Sequence, residues 1–305
     1  REGRPCSGNA FEGKYKQMLC LNQGGYGTVY AGHRVQDSLE VAIKRVPESK
    51  MLQTSVVSDF RNFPLEVVLL LMVRGSEGES GADSSSGACV QLLDWYNLGD
   101  ELVLVMERPL PCLDLFDYIQ ERGGKLPEEE FLLKQLVGLM KKVHSKGVLH
   151  RDIKPENILV LTGNESLSLR LLDFGCGCIL KNEPYTEFYG TLQYTPPEWY
   201  LHGQYEALPL CVWQMGVLLY DMLCGEHPFS TRADIISRAP YIPQTLHALI
   251  HNLPSPLDCQ DLMRRCLAKR PRGRPTLEGI LQHPWFQNTP KSVIPSESHG
   301  GSILF

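Results

Sequence analysis

The hydrophobic pattern of this chain changes at Arg108-Pro109, and that change constrains its architecture more than any other feature. Upstream, residues 14–21, 27–33 and 39–46 are short β-forming runs separated by Gly-rich or polar breaks, and 90–97 and 101–107 continue the series. Such runs predict strands. Among them, 65–73 has Glu66 with Leu69 and Leu70 at helical spacing and predicts one helix. Residues 75–87, rich in Gly, Ser, Glu and Asp, have almost nothing to bury and predict a mobile loop. Downstream, the pattern is helical. Pro127 is placed to open a helix whose face carries Leu132, Leu136, Leu139 and Val143, with Gly147 as its stop. A second helix is predicted over 211–223 and others on to Trp285, followed by a polar tail expected to be loosely attached. The expectation is a small β-rich lobe followed by a larger helical one.

Composition narrows the function classes. The formal charge of −5, from 30 basic and 35 acidic residues, argues against nucleic-acid binding by bulk charge, which needs a basic excess. No uninterrupted apolar run reaches the roughly 18 residues of a membrane helix, so no membrane association is expected. The ten cysteines show no CxxC pair and no zinc-like Cys/His cluster. They read as reduced, mostly buried thiols, which fits a cytoplasmic or nuclear setting.

The chemistry sits in an ordered series of motifs. Leu21-Asn22-Gln23-Gly24-Gly25-Tyr26-Gly27-Thr28-Val29 is a glycine-rich turn between two strands. Glycine lets backbone amides approach phosphates without an intervening Cβ. Lys44 ends the apolar run Val41-Ala42-Ile43, and Glu66 in the predicted helix is a candidate partner for it. His150-Arg151-Asp152-Ile153-Lys154-Pro155-Glu156-Asn157 precedes Asp173-Phe174-Gly175. Asp152 can accept a proton from a hydroxyl, Lys154 can neutralise a transferring phosphoryl group, and Asn157 and Asp173 offer oxygen ligands for Mg²⁺. Glu198, in Thr195-Pro196-Pro197-Glu198, can pair with Arg274. Each motif alone has an ordinary reading as a hairpin turn, a capping acid or a surface pair. The ordered set does not.

Over residues 15–286 the chain resembles the eukaryotic protein kinases. The resemblance implies an α+β, bilobal protein kinase fold: an N-lobe at 15–107, a hinge at 107–110 and a C-lobe at 111–286, flanked by an extension at 1–14 and a flexible tail at 287–305. It implies that ATP and Mg²⁺ are used, with the glycine-rich turn and Ala42 lining the nucleotide site. Lys44 would bind phosphates and be held by Glu66, Asp152 would be the catalytic base, and Asn157 and Asp173 would hold magnesium. Arg151 would sense the activation segment, 173–198. Lys154 together with Gly190-Thr191 matches the serine/threonine class.

Glu107-Arg108-Pro109, Asp114-Leu115-Phe116-Asp117-Tyr118-Ile119, Pro196-Pro197-Glu198-Trp199 and Leu218-Leu219-Tyr220-Asp221-Met222 are similar to the PIM kinases. That likeness implies Met106 as gatekeeper. It also implies a hinge where Pro109, lacking an N–H, leaves the Glu107 carbonyl as the remaining backbone partner for adenine. Asp114, Asp117 and Glu156 match positions that the family uses to hold basic residues of Ser/Thr protein substrates. Glu226 is a further candidate, while Ser230-Thr231-Arg232-Ala233-Asp234 is less acidic than the family's usual segment.

Departures from the pattern shape the remaining expectations. Asn22 replaces the first glycine of the phosphate loop; because Asn tolerates left-handed backbone better than most residues, ATP binding is expected to be reduced rather than lost. Cys211 stands where most kinases carry an aspartate that anchors the catalytic loop; the PIM likeness implies a nonpolar residue there, and Cys211 is read as a buried thiol. Glu187 is expected to pair with Arg151 in place of a phosphate, giving activity without activation-loop phosphorylation. Tyr185, Thr186 and Tyr189 are candidate phosphosites, and Cys176 is a candidate thiol beside the ATP site. The chain is expected to work as a monomer. The rival expectation is a pseudokinase, a scaffold that keeps the fold without turnover.

Overall fold

A computed structural model of the chain describes residues 8–51, 63–74, 87–123, 129–163, 167–242 and 256–287. The expectations for a 75–87 loop, for Pro127 and for the tail fall almost wholly outside these residues.

The upper lobe is a five-stranded antiparallel sheet of β1 (Tyr15–Gly24), β2 (Gly27–Arg34), β3 (Glu40–Pro47), β4 (Leu92–Asn97) and β5 (Glu101–Glu107), in the order β1-β2-β3-β5-β4. A short helix, α1 (Gly8–Glu12), precedes it, and α2 (Leu65–Val73) packs against it. The strands run further into the glycine-rich segment than the sequence pattern predicts. Pairing continues through Asn22↔Val29 and Gln23↔Thr28 to Gly24↔Gly27, leaving only Gly25 and Tyr26 as the turn. Gly27 permits this approach: its φ is +148°, and a Cβ there would lie 2.3 Å from the Arg45 carbonyl oxygen. β4 starts later than predicted. Residues 88–90 are instead drawn to the lower lobe, where the Leu171 amide donates to Ala88 and its carbonyl accepts from Val90.

The lower lobe is built on α3 (Leu115–Glu121), α4 (Glu129–Ser145), α5 (Pro197–His202), α6 (Ala207–Cys224), α7 (Arg232–Ser237) and α8 (Pro256–Cys266). Two short helices close it, α9 (Leu277–Leu281) and α10 (Pro284–Gln287). The expected face of α4 is buried at Leu132, Leu136, Leu139 and Val143, and Gly147 follows the helix at φ +73°. α6 is the core helix. It is long and apolar enough to cross a membrane by length and composition, yet 78% of that stretch is buried inside the lobe. Its C-terminus is closed by Gly225 in the left-handed region. Two small sheets not expected from the sequence lie at the junction of the lobes. β6 (Cys112–Asp114), β8 (Ile158–Leu161) and β9 (Ser168–Leu171) form one; β7 (Val148–Leu149) and β10 (Cys178–Ile179) form the other. They hold the 150–157 loop and the 173–175 turn beneath the upper sheet.

Candidate active site

Lys44 lies on β3, an alternating strand whose neighbours Val41 and Ile43 are fully buried. Its ammonium lies 2.6 Å from Glu66 Oε1 and 2.7 Å from Asp173 Oδ1. Glu66 reaches it from α2, a helix otherwise made of Leu, Val and Met. Burial alone lowers the pKa of an amine, but the Glu66 and Asp173 carboxylates outweigh that here and leave Lys44 firmly protonated. The same ammonium holds the Asp173 carboxyl below the usual carboxylate range against the opposing effect of burial. Asp173 sits at φ +53° and also accepts from the Gly175 amide at 2.9 Å. Phe174 is buried against His150, with ring centroids 4.8 Å apart, and this packing pins the turn.

Asp152 is the centre of a second network. Its Oδ1 accepts from the Thr191 amide at 2.8 Å, and its Oδ2 accepts from Asn157 Nδ2 at 3.0 Å. Lys154 Nζ is 3.7 Å from the same Oδ2. Asn157 also donates to the Asp152 carbonyl at 2.8 Å, so its amide nitrogen is committed to the loop and its oxygen is the atom left for a cation. Asn157 and Asp173 thus supply hard oxygen donors of the kind Mg²⁺ takes. Among the described residues no cluster of three or more His, Cys, Asp or Glu side chains forms a metal cage. That fits an ion that keeps waters and shares its coordination with substrate phosphates.

The glycine-rich hairpin covers this ground. Tyr26, at its turn, sets its hydroxyl against the Cys176 thiol and the Gly190 amide. Cys176 is correspondingly buried and its thiol is pushed up to about 12, chiefly by desolvation, so it is not a thiolate poised beside the cleft. Asn22 needs no left-handed backbone. It is a paired strand residue, and the non-glycine residues with positive φ among those described are Ser38, Arg151 and Asp173. Leu21, Asn22, Gln23 and Gly24 form the β1 side of the hairpin, and Gly27, Thr28 and Val29 the β2 side. At the lobe junction Met106 is buried and pairs with Ala42 across β3 and β5. Glu107 uses both its amide and its carboxylate on Gln91, at 2.9 and 3.1 Å, which fixes this residue just before Arg108.

The expected Arg151–Glu187 ion pair is not formed. Arg151 donates to the carbonyls of Cys176 and Gly177, and its guanidinium lies over the Tyr189 ring at 4.5 Å. Glu187 instead accepts from the Tyr189 hydroxyl at 3.0 Å. The aromatic ring separates the two charges, so Glu187 acts on Arg151 only through Tyr189. Tyr185 is buried, stacked on Tyr205, and its hydroxyl donates to the Ile179 carbonyl while accepting from Lys181 N. Glu198 and Arg274 form a two-point pair at 2.7 Å on each arm, buried below α5.

Asp114 caps α3, accepting from the Asp117 amide at 2.8 Å. Burial raises its pKa despite that bond, and the charges of Asp117 and Glu156 add to the rise, so the three acids share one electrostatic neighbourhood. Two residues were given no role of their own by the sequence reading. Asp221, on the core helix α6, accepts from the Tyr194 hydroxyl at 2.6 Å; burial pushes it up to about 7, and Glu156 contributes. The visible signal was a lone acid in Val217-Leu218-Leu219-Tyr220-Asp221-Met222. Gln214, on the same helix, donates to the Arg151 carbonyl at 2.7 Å.

Comparison with known proteins matches residues 15–286 to the protein kinase domain. The chain is 42% identical over 283 residues to the serine/threonine-protein kinase pim-2 of Danio rerio, covering 92% of this chain and 86% of that one. It is 36% identical over 281 residues to the serine/threonine-protein kinase prk-2 of Caenorhabditis elegans, covering 91% of this chain and 59% of that protein. A PAS domain-containing serine/threonine-protein kinase of Mus musculus is 29% identical over 291 residues, covering 93% of this chain and 19% of that protein.

Proposed function

The chain belongs to the protein kinase family and is a PIM-like serine/threonine kinase, and on that premise we propose that it phosphorylates Ser/Thr in Arg- or Lys-rich peptides, as a single chain, without a phosphate on its activation segment. The observation that carries the catalytic part is the convergence of Lys44, Glu66 and Asp173 in one contact set, with Asp152 and Asn157 in the other. Glu107 would present its carbonyl to adenine, and Pro109 offers no second donor. Lys44, held from both sides, would meet the α- and β-phosphates under the glycine-rich hairpin. Asn157 and Asp173 would hold Mg²⁺, which when bound neutralises phosphate charge. Asp152 would orient the substrate hydroxyl and accept its proton, while Lys154 offsets charge on the group in transfer. The scaffold reading draws no support, because Lys44, Asp152 and Asp173, the groups whose loss disables a kinase, are all present, Lys44 paired with Asp173 and Asp152 facing Lys154.

The basic preference is supported by Asp114, Asp117 and Glu156 acting on one another, with Asp221 beyond Glu156. The segment after Phe229 adds little to it. Asp234 is spent in a capping box with Thr231 and faces Arg238, so its charge is offset locally. Independence from phosphorylation is supported by Arg151, whose Nε and Nη2 already donate to the Cys176 and Gly177 carbonyls and whose guanidinium lies over the Tyr189 ring. The nine cysteines among the described residues are free thiols, which supports a reducing, cytoplasmic or nuclear setting.

One assay tests both finer claims: phosphatase-treated protein with Mg-ATP on a peptide array, beside Asp173→Ala. Faster transfer to Arg-containing serine peptides is expected. Equal rates for Arg-rich and Arg-free peptides would refute the substrate reading; inactivity reversed by an upstream kinase would refute the phosphate-free one.

A further inference from the structure

The loop that carries Asp152 holds part of its own backbone: Asn157 donates to the Asp152 carbonyl at 2.8 Å, and the Asp152 amide donates to His150 Nδ1 at 3.3 Å. Arg151 stands at φ +68°, a left-handed conformation that disfavours a side chain with a Cβ. Its guanidinium is tied to the activation segment, and the Arg151 carbonyl and the Ile153 amide, which flank Asp152, take their partner from outside the loop. The position where most kinases carry an anchoring aspartate is Cys211, and it does not reach this loop. Its thiol is buried and faces the Met215 sulfur at 3.9 Å.

One turn along the same helix, Gln214 is 1% exposed. Its Nε2 donates to the Arg151 carbonyl at 2.7 Å, and its Oε1 accepts from the Ile153 amide at 3.3 Å. The carboxamide therefore grips the backbone immediately before and after Asp152. Only one orientation of the amide satisfies both contacts, since nitrogen must meet the carbonyl and oxygen the N–H. A carboxylate could accept from Ile153 but could not donate to Arg151, and it would add a buried negative charge close to Asp152.

We propose that Gln214 is the positioning residue of the catalytic loop, taking over from the position of Cys211 the task of holding Asp152 at the height where it meets a substrate hydroxyl. This rests on the kinase reading. Gln214 touches neither nucleotide nor peptide; it acts through the backbone on Asp152. Lys44, the glycine-rich hairpin and the Glu107 peptide, which would hold the nucleotide, lie on other elements.

The test compares the parent protein with Gln214→Met, which keeps length and volume and removes both hydrogen bonds, and with Gln214→Glu, which removes only the donor. The parent's turnover in Mg-ATP with an Arg-containing peptide tests the kinase reading by itself. For Gln214→Met, kcat per folded molecule, measured well below its melting temperature, is expected to fall by about tenfold or more, as a small misplacement of a reacting group does. The KM for ATP and the affinity for ADP should stay within about twofold. For Gln214→Glu, kcat relative to the parent should be depressed at pH 8 and recover towards pH 6, as a protonated carboxyl regains a donor for the Arg151 carbonyl. A folded Gln214→Met whose kcat stays within twofold of the parent would overturn the proposal, and so would parallel losses of kcat and ADP affinity. If the Met variant does not fold, Gln214→Glu decides: a kcat within twofold of the parent at pH 8 overturns it.

Discussion

Replacing Arg274 by Met should be among the most damaging single changes to the stability of this protein. The guanidinium makes four hydrogen bonds: one to each Glu198 oxygen at 2.7 Å, one to the Pro209 carbonyl and one to the Ala268 carbonyl, each at 2.9 Å. It also lies over the Trp213 ring at 4.9 Å. These contacts join the end of the activation segment, the start of α6 and the loop after α8. Methionine fills much of the space but leaves the Glu198 carboxylate, itself only 5% exposed, without a counter-charge. Breaking a buried pair from one side costs about 3–5 kcal/mol, and the stranded Ala268 carbonyl adds about 1 kcal/mol, while the Pro209 carbonyl lies within α6 and keeps its helical bond. A loss of about 5 kcal/mol follows, which in a domain of this size lowers Tm by roughly 10–20 °C. Scanning fluorimetry on the parent, Arg274→Met, Glu198→Gln and the double variant would read it. The double variant should be less damaged than the sum of the singles, since removing both charges leaves neither stranded. A Tm within about 3 °C of the parent for Arg274→Met, or strictly additive singles, would refute the argument.

Two further outcomes concern the acidic surface and the activation segment. Asp221, held at about 7 by burial, should be about one-tenth ionised at pH 6 and about nine-tenths at pH 8. The KM for an Arg-containing peptide should therefore fall over that window, and Asp221→Asn should flatten the change relative to an Arg-free control. For stability the sign is reversed. The folded-state value lies above the unfolded carboxylate's, so the native state holds the extra proton; stability falls as pH rises from about 4 to about 7 and then levels, a slope that melts of Asp221→Asn should lack. At Tyr189, Ala should lower kcat severalfold by removing the aromatic face, worth about 1–2 kcal/mol, from Arg151. Phe should have a smaller effect, because it forfeits only the bond to Glu187; a Phe variant as impaired as Ala would assign the role to Glu187 instead.

How far the sequence discloses such a site depends on what kind of work a residue does. Lys44, Asp152, Asn157 and Asp173, to which we assign the reaction, stood out in the sequence because such chemistry admits few substitutes and because their motifs follow one order. The helix at 65–73 was legible to the residue, since nothing in Leu65–Val73 competes with a helix and Pro64 precedes it. The hairpin tip was not. Glycines read as a break, yet β1 and β2 stay paired to Gly24 and Gly27 because glycine is what lets them turn so tightly. The short strands β6 to β10 escaped because two to four residues are too few to show alternation.

Partner choice is the least legible layer. Glu187 and Arg151 have opposite charges and suitable places in the chain, but Tyr189 offers Arg151 a flat face and Glu187 a hydroxyl, satisfying both with no ion pair. Gln214 makes the same point from the other side. A group that merely holds a loop needs a donor and an acceptor at the right height, and more than one position on a neighbouring helix can supply them. Positions 211 and 214 are three residues apart, nearly one helical turn, and so share a face. The chain can therefore place cysteine at one and a carboxamide at the other, Gln214 reaching the Arg151 carbonyl while Cys211 turns to Met215. Read position by position, Cys211 looks like a lost anchor; read by face of the helix, the anchor has moved by a turn and changed from an acid to an amide that can hold both sides of Asp152.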